Sequence, residues 1–519
     1  MEIEDPTPAA GPPAPPAGGQ IGSGPDSGDI DPNDLFRTDD LQTDLRGRTI
    51  RGGMITISAQ AIKFVVNIIS TVALARLLSP GEFGLVAMVQ PITSFIGLFK
   101  DLGLSIATVQ RQDVTHQQVS TLFWINVAVS LVLACLTMAI SPLVGLFYHD
   151  PRTMWIALAS GALFLLGGFT AQHQALLGRH LRFRALAIID VSSMICGVGA
   201  AILTAWYGWS YWSLVVWAGA TGLTNLVLVW ILSPWRPGRP VRGAGVRSML
   251  RFGSGMTLNS FVQYFQGNVD KVALGRLWGP VETGFYTRGY NLFLGPLQQL
   301  YAPINAVLYP TLCRIATDVA RLRSVVLQTL EVVMIVTVPI FVIIMASTDL
   351  LVDVLMGKNW GPAVPIARIF GVWFFTLPYG LLLRDMIIAM GRSDIVVRLS
   401  LINVISVIIG VCAGLHWGGL GVCVGITVVI SGPGNVVWSW LVFRVSGIKL
   451  SQIWVATRFS LISVIFCLGA AFCMRAIVPH TTPILGIALV ALVTFAVHTA
   501  LLQVSGRLRW LLSMVTKAR

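Results

Sequence analysis

Long apolar segments, separated by short polar loops, fill the chain from about residue 50 to residue 504. An α-helix needs about 20 apolar residues to cross the hydrocarbon core of a bilayer, and fourteen segments approach that length. Their approximate bounds are 53–76, 83–108, 119–141, 153–177, 185–206, 210–232, 249–273, 284–310, 324–346, 363–383, 395–415, 419–442, 453–474 and 482–504. The pattern predicts an all-α integral membrane protein with about 14 transmembrane helices.

One stretch of the chain occurs twice, at a spacing of 200 residues. VALARLLSPGEFG at 72–84 returns as VALGRLWGPVETG at 272–284, with Val, Ala, Leu, Arg, Leu, Pro, Glu and Gly in register. Each copy ends one apolar segment and starts the next, and six predicted crossings separate the copies. Because an even number of crossings preserves direction, the repeat predicts two parallel six-helix lobes with a substrate path between them.

The repeat divides the chain into five parts. Residues 1–45 are rich in Pro, Gly and Asp and predict a disordered, acidic, cytoplasmic tail. The N-lobe covers 46–232, a basic cytoplasmic linker covers 233–248, and the C-lobe covers 249–443. Two accessory helices and a basic cytoplasmic C-terminus occupy 444–519.

Positive residues near the span ends fall into two groups, and loops rich in Lys and Arg favour the cytoplasm. The poorer side carries only Arg76, Arg152, Lys271, Arg276, Lys358 and Arg475. The richer side carries the remaining loop cations, including the linker residues Arg236, Arg239 and Arg242. This asymmetry predicts that both termini are cytoplasmic.

The composition excludes a water-soluble protein, because 55% of the 519 residues are hydrophobic and 11% are charged, with a mean hydropathy of +0.75. The net charge of +13 conceals an asymmetry. Residues 1–45 carry ten acids and one arginine, whereas the remainder carries 35 Lys/Arg and 13 Asp/Glu. Cations that lie inside the spans would therefore favour an anionic ligand.

Metal and enzyme chemistry have little support in the sequence. The seven cysteines and seven histidines are scattered without metal-ligand spacing. There is no GxSxG or Walker A motif, and no outward loop is long enough for glycan chemistry. We therefore predict a membrane transporter rather than an enzyme, with no cofactor, no metal and no nucleic-acid partner.

Polar residues recur at helical spacing in spans that the repeat relates to each other. In the seventh span, Asn259, Gln263, Gln266 and Asp270 step by 4, 3 and 4 residues and share one helical face. The first span repeats these steps with Thr56, Gln60, Lys63 and Asn67, and the eighth carries Arg288, Asn291, Gln298 and Asn305. We interpret these stripes as the lining of a polar cavity between the lobes. The alternative is hydrogen bonding that tightens the helix bundle.

Four cations inside spans would make this cavity positive. They are Lys63, Lys100, Arg288 and Arg368. A charge within the membrane is costly unless it faces protein or water, so each is a candidate ligand for a concentrated anion. Two alternatives stay open: Lys100 pairs with the adjacent Asp101, and Arg368 lies near the membrane interface.

Few acids lie inside the spans. Asp270 and Glu331 are candidates for coupling to a proton or Na⁺. Asp190 lies close to Arg184 in sequence, which makes an ion pair between them the alternative to a site for a coupling ion.

These segments resemble a known family. RGGMITISAQ, LARLLSPGEFGLVAM and DLGLSIATVQR resemble the opening of Wzx-type polysaccharide flippases, which belong to the multidrug/oligosaccharidyl-lipid/polysaccharide (MOP) exporter superfamily. The stretch NVDKVALGRLWGPVETGFYTRGYNLFLGPLQQLYAPINAVLYPTL is similar to the colanic-acid and teichuronic-acid exporter branch. The resemblance runs from about residue 46 to about residue 440.

The resemblance implies a MOP/MATE-like fold of two six-helix lobes with two accessory helices. It also implies translocation of an undecaprenyl-diphosphate-linked oligosaccharide across a bacterial inner membrane, for exopolysaccharide, capsule or O-antigen (lipopolysaccharide) synthesis. Implied partners are that lipid, the membrane lipids, and the polysaccharide polymerase and export machinery. Alternatives are a flippase for the peptidoglycan lipid precursor, a cation-coupled multidrug exporter, and a membrane glycan polymerase or ligase.

Overall fold

The computed structural model describes residues 45–100, 104–110, 114–241, 247–414, 421–422, 435–477, 482–510 and 513. Within these ranges the chain forms helices and no strand. The helices are α1 (Leu45–Leu77), α2 (Pro80–Gly97), α3 (Leu104–Gln110), α4 (His116–Tyr148), α5 (Pro151–Arg179), α6 (Phe183–Trp206), α7 (Trp212–Leu232), α8 (Arg247–Arg314), α9 (Val319–Ala346), α10 (Thr348–Leu355), α11 (Ala363–Phe374), α12 (Leu377–Ala389), α13 (Ser393–Gly414), α14 (Asn435–Ser446), α15 (Leu450–Ile477) and α16 (Pro483–Val504). A single 3₁₀ turn, Lys358–Trp360, precedes α11.

Local sequence explains where several helices begin. Before α2, the Glu82 carboxylate accepts the backbone N–H of Ser79 at 2.5 Å, and Pro80 occupies the first turn. Before α4, Thr115 and Gln118 cap each other's backbone N–H groups at 3.2 and 3.3 Å. These caps satisfy N–H groups that the first helical turn leaves without a partner.

The prediction of an all-α membrane protein is confirmed. Within the described ranges, nine helices are long and apolar enough to cross a membrane, or ten if the bent pair α11 and α12 counts as one span. Each predicted segment except the twelfth overlaps a described helix over most of its length. The count of 14 is not confirmed, since α2 and α8 are not among these nine helices, and residues 423–434 of the twelfth segment lie outside the described ranges.

The longest helix contains the boundary between the predicted seventh and eighth spans. α8 has 68 residues and is interrupted at Gly279, whose φ of 78° lies in the left-handed region that favours glycine. The interruption gives α8 two arms, 247–278 and 280–314. The second copy of the repeat therefore surrounds a break, as the first copy does between α1 and α2.

We refer to α1–α7 as the N-lobe, to α8–α14 as the C-lobe, and to α15 and α16 as the accessory helices. Among the described residues, the largest buried apolar cluster includes Leu74, Phe83, Leu274, Phe285 and Trp360, which lie where the lobes meet. Further along the helices, α2 of the N-lobe still contacts the first arm of α8, where the Tyr264 hydroxyl donates to the carbonyl oxygen of Pro91. No residue of α1 from 53 to 69 is buried, whereas Ser70, Leu74 and Ala75 are.

The accessory helices pack against the C-lobe and are held by two ion pairs. Arg475 of α15 pairs with Asp349 of α10, and the Arg507 guanidinium lies 2.8 Å from the Glu331 carboxylate of α9. Phe459 and Leu502 bury their side chains against Ile335 of α9. The accessory pair is therefore attached to one lobe.

Breaking the Arg507–Glu331 pair should destabilise this attachment. Both side chains are less than one-fifth exposed, at 16% and 19%, so Arg507→Ala leaves a carboxylate partly desolvated and should cost about 1–3 kcal/mol. Thermal unfolding in detergent should show a lower midpoint, which Glu331→Gln combined with Arg507→Gln partly restores. The exposed pair Arg392–Asp394, at 54% and 52% exposure, offers a control, because Arg392→Ala should leave the midpoint unchanged.

Candidate functional site

The two copies of the repeat pack against each other where the lobes meet. A Cβ atom built on Gly84 would overlap the carbonyl group of Pro280, and one built on Gly284 would overlap the carbonyl group of Pro80. The contact is reciprocal, because each copy supplies the same glycine and the same proline. We call these four residues the repeat contact.

Trp360 closes the same end of the lobe interface. Its side chain is fully buried, and the indole N–H donates to the carbonyl oxygen of Ala75 at 3.0 Å. The ring lies edge-on to Phe83 of the N-lobe, at 5.5 Å between centroids, and to Phe285 of the C-lobe, at 6.0 Å. Trp360 therefore joins the lobes beside the repeat contact.

The repeat arginines each reach the opposite lobe. The Arg76 guanidinium donates to the carbonyl oxygen of Val354 at 2.9 Å. The equivalent Arg276 lies over the ring of Phe147, 5.9 Å from its centroid. These contacts explain why the matching positions keep arginine although both lie on the side that is poor in positive charge.

Arg288 lies one helical turn beyond Gly284, at the lobe interface. Its guanidinium carbon is 4.0 Å from the centroid of the Phe83 ring, which belongs to the other lobe. Among the described residues, no carboxylate oxygen lies within 4.0 Å of this guanidinium. On the same arm of α8, Asn291 and Gln298 are exposed. The structure thus places a cation, followed by exposed amides, next to the repeat contact.

Lys63 and Asn67 lie on the exposed part of α1. The Lys63 ammonium is 3.2 Å from the Asp190 carboxylate of α6. The suggestion that Asp190 pairs with Arg184 is therefore wrong, because α1 and α6 pack side by side and bring Lys63 closer. Asn67 is exposed, and its side-chain oxygen accepts the Thr71 hydroxyl at 3.5 Å.

Two other predicted cavity cations lie elsewhere. The Lys100 side chain extends along Gly167 of α5, so it lies inside the N-lobe; its proposed partner Asp101 lies outside the described residues. Arg368 is exposed and 3.6 Å from Asp349, the carboxylate that also binds Arg475. Arg368 thus joins the ion cluster of the accessory helices.

The seventh-span stripe is only partly described. The side chains of Asn259, Gln263 and Gln266 lie outside the described residues. Asp270, the last member of this stripe, is 8% exposed, and one carboxylate oxygen accepts the Tyr286 hydroxyl at 2.6 Å. Its other oxygen is buried and has no hydrogen-bond partner among the described residues. Glu331, the second candidate for ion coupling, is engaged by Arg507.

Exchanging the charges of Lys63 and Asp190 tests whether Lys63 binds an anion or only pairs with Asp190. The carboxylate is 51% exposed, and an exposed ion pair contributes about 0–1 kcal/mol, so Asp190→Asn should leave polysaccharide export near normal. If Lys63 binds an anion, Lys63→Ala and the swap of Lys63→Asp with Asp190→Lys should both lose export. Export restored by the swap would show that only the ion pair matters. Polymer output at equal protein level measures each case.

Residues 73–365, more than half of the chain, match the model of a family described as "Polysaccharide biosynthesis protein". The chain belongs to this family. Its relatives include "Lipopolysaccharide biosynthesis protein WzxC" of Escherichia coli (strain K12), 25% identical over 392 residues that cover 74% of this chain and 79% of the relative. "Succinoglycan biosynthesis transport protein ExoT" of Rhizobium meliloti (strain 1021) is 24% identical over 79% of this chain and 84% of the relative. The resemblance to Wzx-type flippases is confirmed.

Solved structures share the fold of this family member. One is titled "Lipid II flippase MurJ, inward closed conformation", with a TM-score of 0.70 and 13% identity over 88% of this chain and 99% of that chain. A MATE family multidrug transporter of the MOP superfamily in its inward-facing conformation has a TM-score of 0.54 and 16% identity, over 78% of this chain and 99% of that chain. The predicted MOP/MATE-like architecture is therefore confirmed.

Phe83, Trp360 and Tyr286 are the site residues that sequence reasoning missed. Trp360 lies in a segment predicted to be an outward loop, and its burial depends on contacts with Ala75, which is 285 positions away. Phe83 lies within the repeat, but the matching position in the other copy is Thr283. The alignment of the two copies therefore gave no reason to single out Phe83. The glycines of the repeat contact carried a signal, since both copies keep Gly at the same position.

Proposed function

We propose that this family member is a flippase that moves an undecaprenyl-diphosphate-linked oligosaccharide from the cytoplasmic to the periplasmic leaflet of a bacterial inner membrane. The observation that carries this proposal is Arg288, a cation between the lobes with no carboxylate neighbour among the described residues. The names of the relatives, which include a lipopolysaccharide biosynthesis protein and a succinoglycan transport protein, support a substrate of this class.

A diphosphate suits the described cations. A guanidinium donates two parallel hydrogen bonds to phosphate oxygens, and Arg288 occupies a partly buried position where charge is screened less than in water. Lys63, about three helical turns before Ala75, would add a second positive charge on exchanging the Asp190 carboxylate for a phosphate. Exposed amides at Asn67, Asn291 and Gln298 offer both donors and acceptors to sugar hydroxyls. The lipid tail would stay in the bilayer.

Alternating access would move the head group. The repeat contact and Trp360 lie at the end of the lobes that the charge distribution assigns to the periplasm, so we interpret them as a closed periplasmic gate. Residues 53–69 of α1, none of which is buried, would then face the cytoplasmic opening. Separation of the lobes at the repeat contact, with closure at the other end, would release the head group outside. The site supplies an aqueous path across hydrocarbon, which a charged head group enters only at high cost.

Asp270 is the proposed site for a coupling proton or Na⁺. One of its carboxylate oxygens is buried without a hydrogen-bond partner among the described residues and would accept either ion, and Asp270 lies on the arm of α8 that ends at the repeat contact. The geometry favours Asp270 over Glu331, since Arg507 already neutralises the latter. Proposed protein partners are the polymerase and export machinery that would use the translocated repeat unit.

The alternatives predict different chemistry. A peptidoglycan-precursor flippase would also use cations between the lobes, whereas an exporter of cationic drugs favours carboxylates there. A polymerase or ligase would change its substrate covalently. Incubation of the purified protein with lipid-linked oligosaccharide, followed by mass spectrometry, separates an enzyme from a flippase.

Deletion of the gene tests the proposal directly. Complete lipid-linked repeat units should accumulate and be labelled only by probes that reach the cytoplasmic leaflet, and the intact gene should reverse this accumulation. Repeat units that reach the periplasm unpolymerised would favour a polymerase. Unchanged lipid-linked sugar would overturn the proposal and favour drug export.

A further inference from the structure

One aromatic ring connects the cation between the lobes to the closed end of the molecule. Phe83 is 7% exposed and lies against Arg288 on one side and Trp360 on another. Phe83 belongs to α2 of the N-lobe, whereas Arg288 belongs to the second arm of α8 in the C-lobe. The stacked pair therefore exists only while the two lobes are in contact.

We propose that Phe83 is a positioning residue that completes a diphosphate site with Arg288 while the repeat contact is closed, and that opening the contact dismantles this site. The inference rests on the proposed function. It adds that affinity for the anion depends on the state of the gate: high when the periplasmic end is closed, and low when that end opens.

The chemistry of the guanidinium supports this role. A planar guanidinium on an aromatic face is attracted by the ring while its edge N–H groups stay free to donate to phosphate oxygens. Without the ring, Arg288 regains its rotamers and must be ordered again for each anion, which weakens binding. Trp360 and its hydrogen bond to Ala75 hold the Phe83 ring in place only at the closed interface.

Because affinity for diphosphate depends on the state of the gate, diphosphate binding must also affect that state. If the closed state binds diphosphate more tightly than the open state, diphosphate must in turn stabilise the closed state by the same factor. Release at the periplasmic face then requires no competing ligand, because separation of the lobes removes Phe83 from Arg288.

The test uses the full-length protein in nanodiscs of neutral lipid, with inorganic diphosphate as the probe. Phe83 is replaced by pentafluorophenylalanine, which keeps the shape of the ring but removes its attraction for a cation, and separately by Tyr, which keeps that attraction. Diphosphate affinity should fall about fivefold or more for the fluorinated ring and should fall less for Phe83→Tyr, which keeps the attraction. Thr283→Cys, a buried position beside the repeat contact, reports gate opening through its rate of maleimide labelling.

Diphosphate should slow labelling of Thr283→Cys in the unmodified background, and this protection should be lost with the fluorinated ring. Unchanged affinity and protection with the fluorinated ring would overturn the role of Phe83 while leaving the flippase proposal intact. Absence of diphosphate binding by the unmodified protein would instead overturn the anion site of the proposed function, and Phe83's role with it. The fluorinated variant preserves packing, so a purely structural role predicts no change.

Discussion

Replacing Gly84 or Gly284 with alanine is expected to reduce polysaccharide export about tenfold or more, although neither residue has a side chain that could bind substrate. The added methyl group overlaps a backbone carbonyl of the opposite lobe, and backbone cannot rotate away as a side chain can. Overpacking of this kind costs about 1–3 kcal/mol, which shifts a two-state equilibrium by roughly 5- to 150-fold. The proposed closed gate alone would bear this cost, because the lobes would separate there in an outward-open state.

Gate opening is measured through Thr283→Cys, whose labelling by an impermeant maleimide should become faster in both alanine variants. Gly267→Ala is the matched control, since it lies in the same helix as Gly284 and a Cβ there has no heavy atom within 4 Å. Alanine also favours helix more than glycine does, so loss of export cannot come from a weaker helix. Normal export and labelling in both variants would show that the repeat contact is not a gate.

Arg288→Ala is expected to abolish export while the protein accumulates normally. Hydrogen bonds to charged groups are worth about 1.5–3 kcal/mol each, so loss of the guanidinium should weaken diphosphate binding by at least about tenfold. Arg288→Lys keeps the charge but loses the planar pair of donors, and we expect export between the two extremes. Polymer output and diphosphate binding by the purified protein measure both effects.

Arg444→Ala provides the control for this substitution. Arg444 also lies over an aromatic ring, 4.8 Å from the centroid of Trp440, but near the end of α14. Its removal tests whether loss of any arginine–aromatic contact harms the protein, and export should stay normal. Normal export from Arg288→Ala would remove this residue from the substrate site and leave the proposed function without its principal support.

The repeat illustrates how far sequence reasoning reached. The register of VALARLLSPGEFG and VALGRLWGPVETG predicted two related halves that run in the same direction, and the solved transporters of similar fold confirm that architecture. The register did not reveal that Gly84 and Gly284 meet the opposite prolines. Whether the two copies contact each other depends on how the lobes pack together, and identical residues at matching positions carry no information about that packing.

The predicted cavity cations also show which features the sequence predicted and which required the structure. Helical spacing selected Lys63 and Arg288 because a period of 3.6 residues defines a face. Helical spacing did not determine which residues each face contacts. Lys63 contacts Asp190, and Arg288 contacts Phe83. Lys100 was predicted from its charge within a span, yet its side chain lies along Gly167 inside one lobe.

The sequence by itself determined the membrane class, the approximate positions of most spans, the internal repeat and the family resemblance. Hydropathy and helical periodicity are properties of neighbouring residues, so they can be recognised without knowledge of how distant segments pack. Only the tertiary structure decided that Trp360 is buried, that Phe83 lies under Arg288, and that the repeat closes on itself. These contacts join residues about 200 or more positions apart, and they depend on the rotation and packing of whole helices, which the local pattern does not specify.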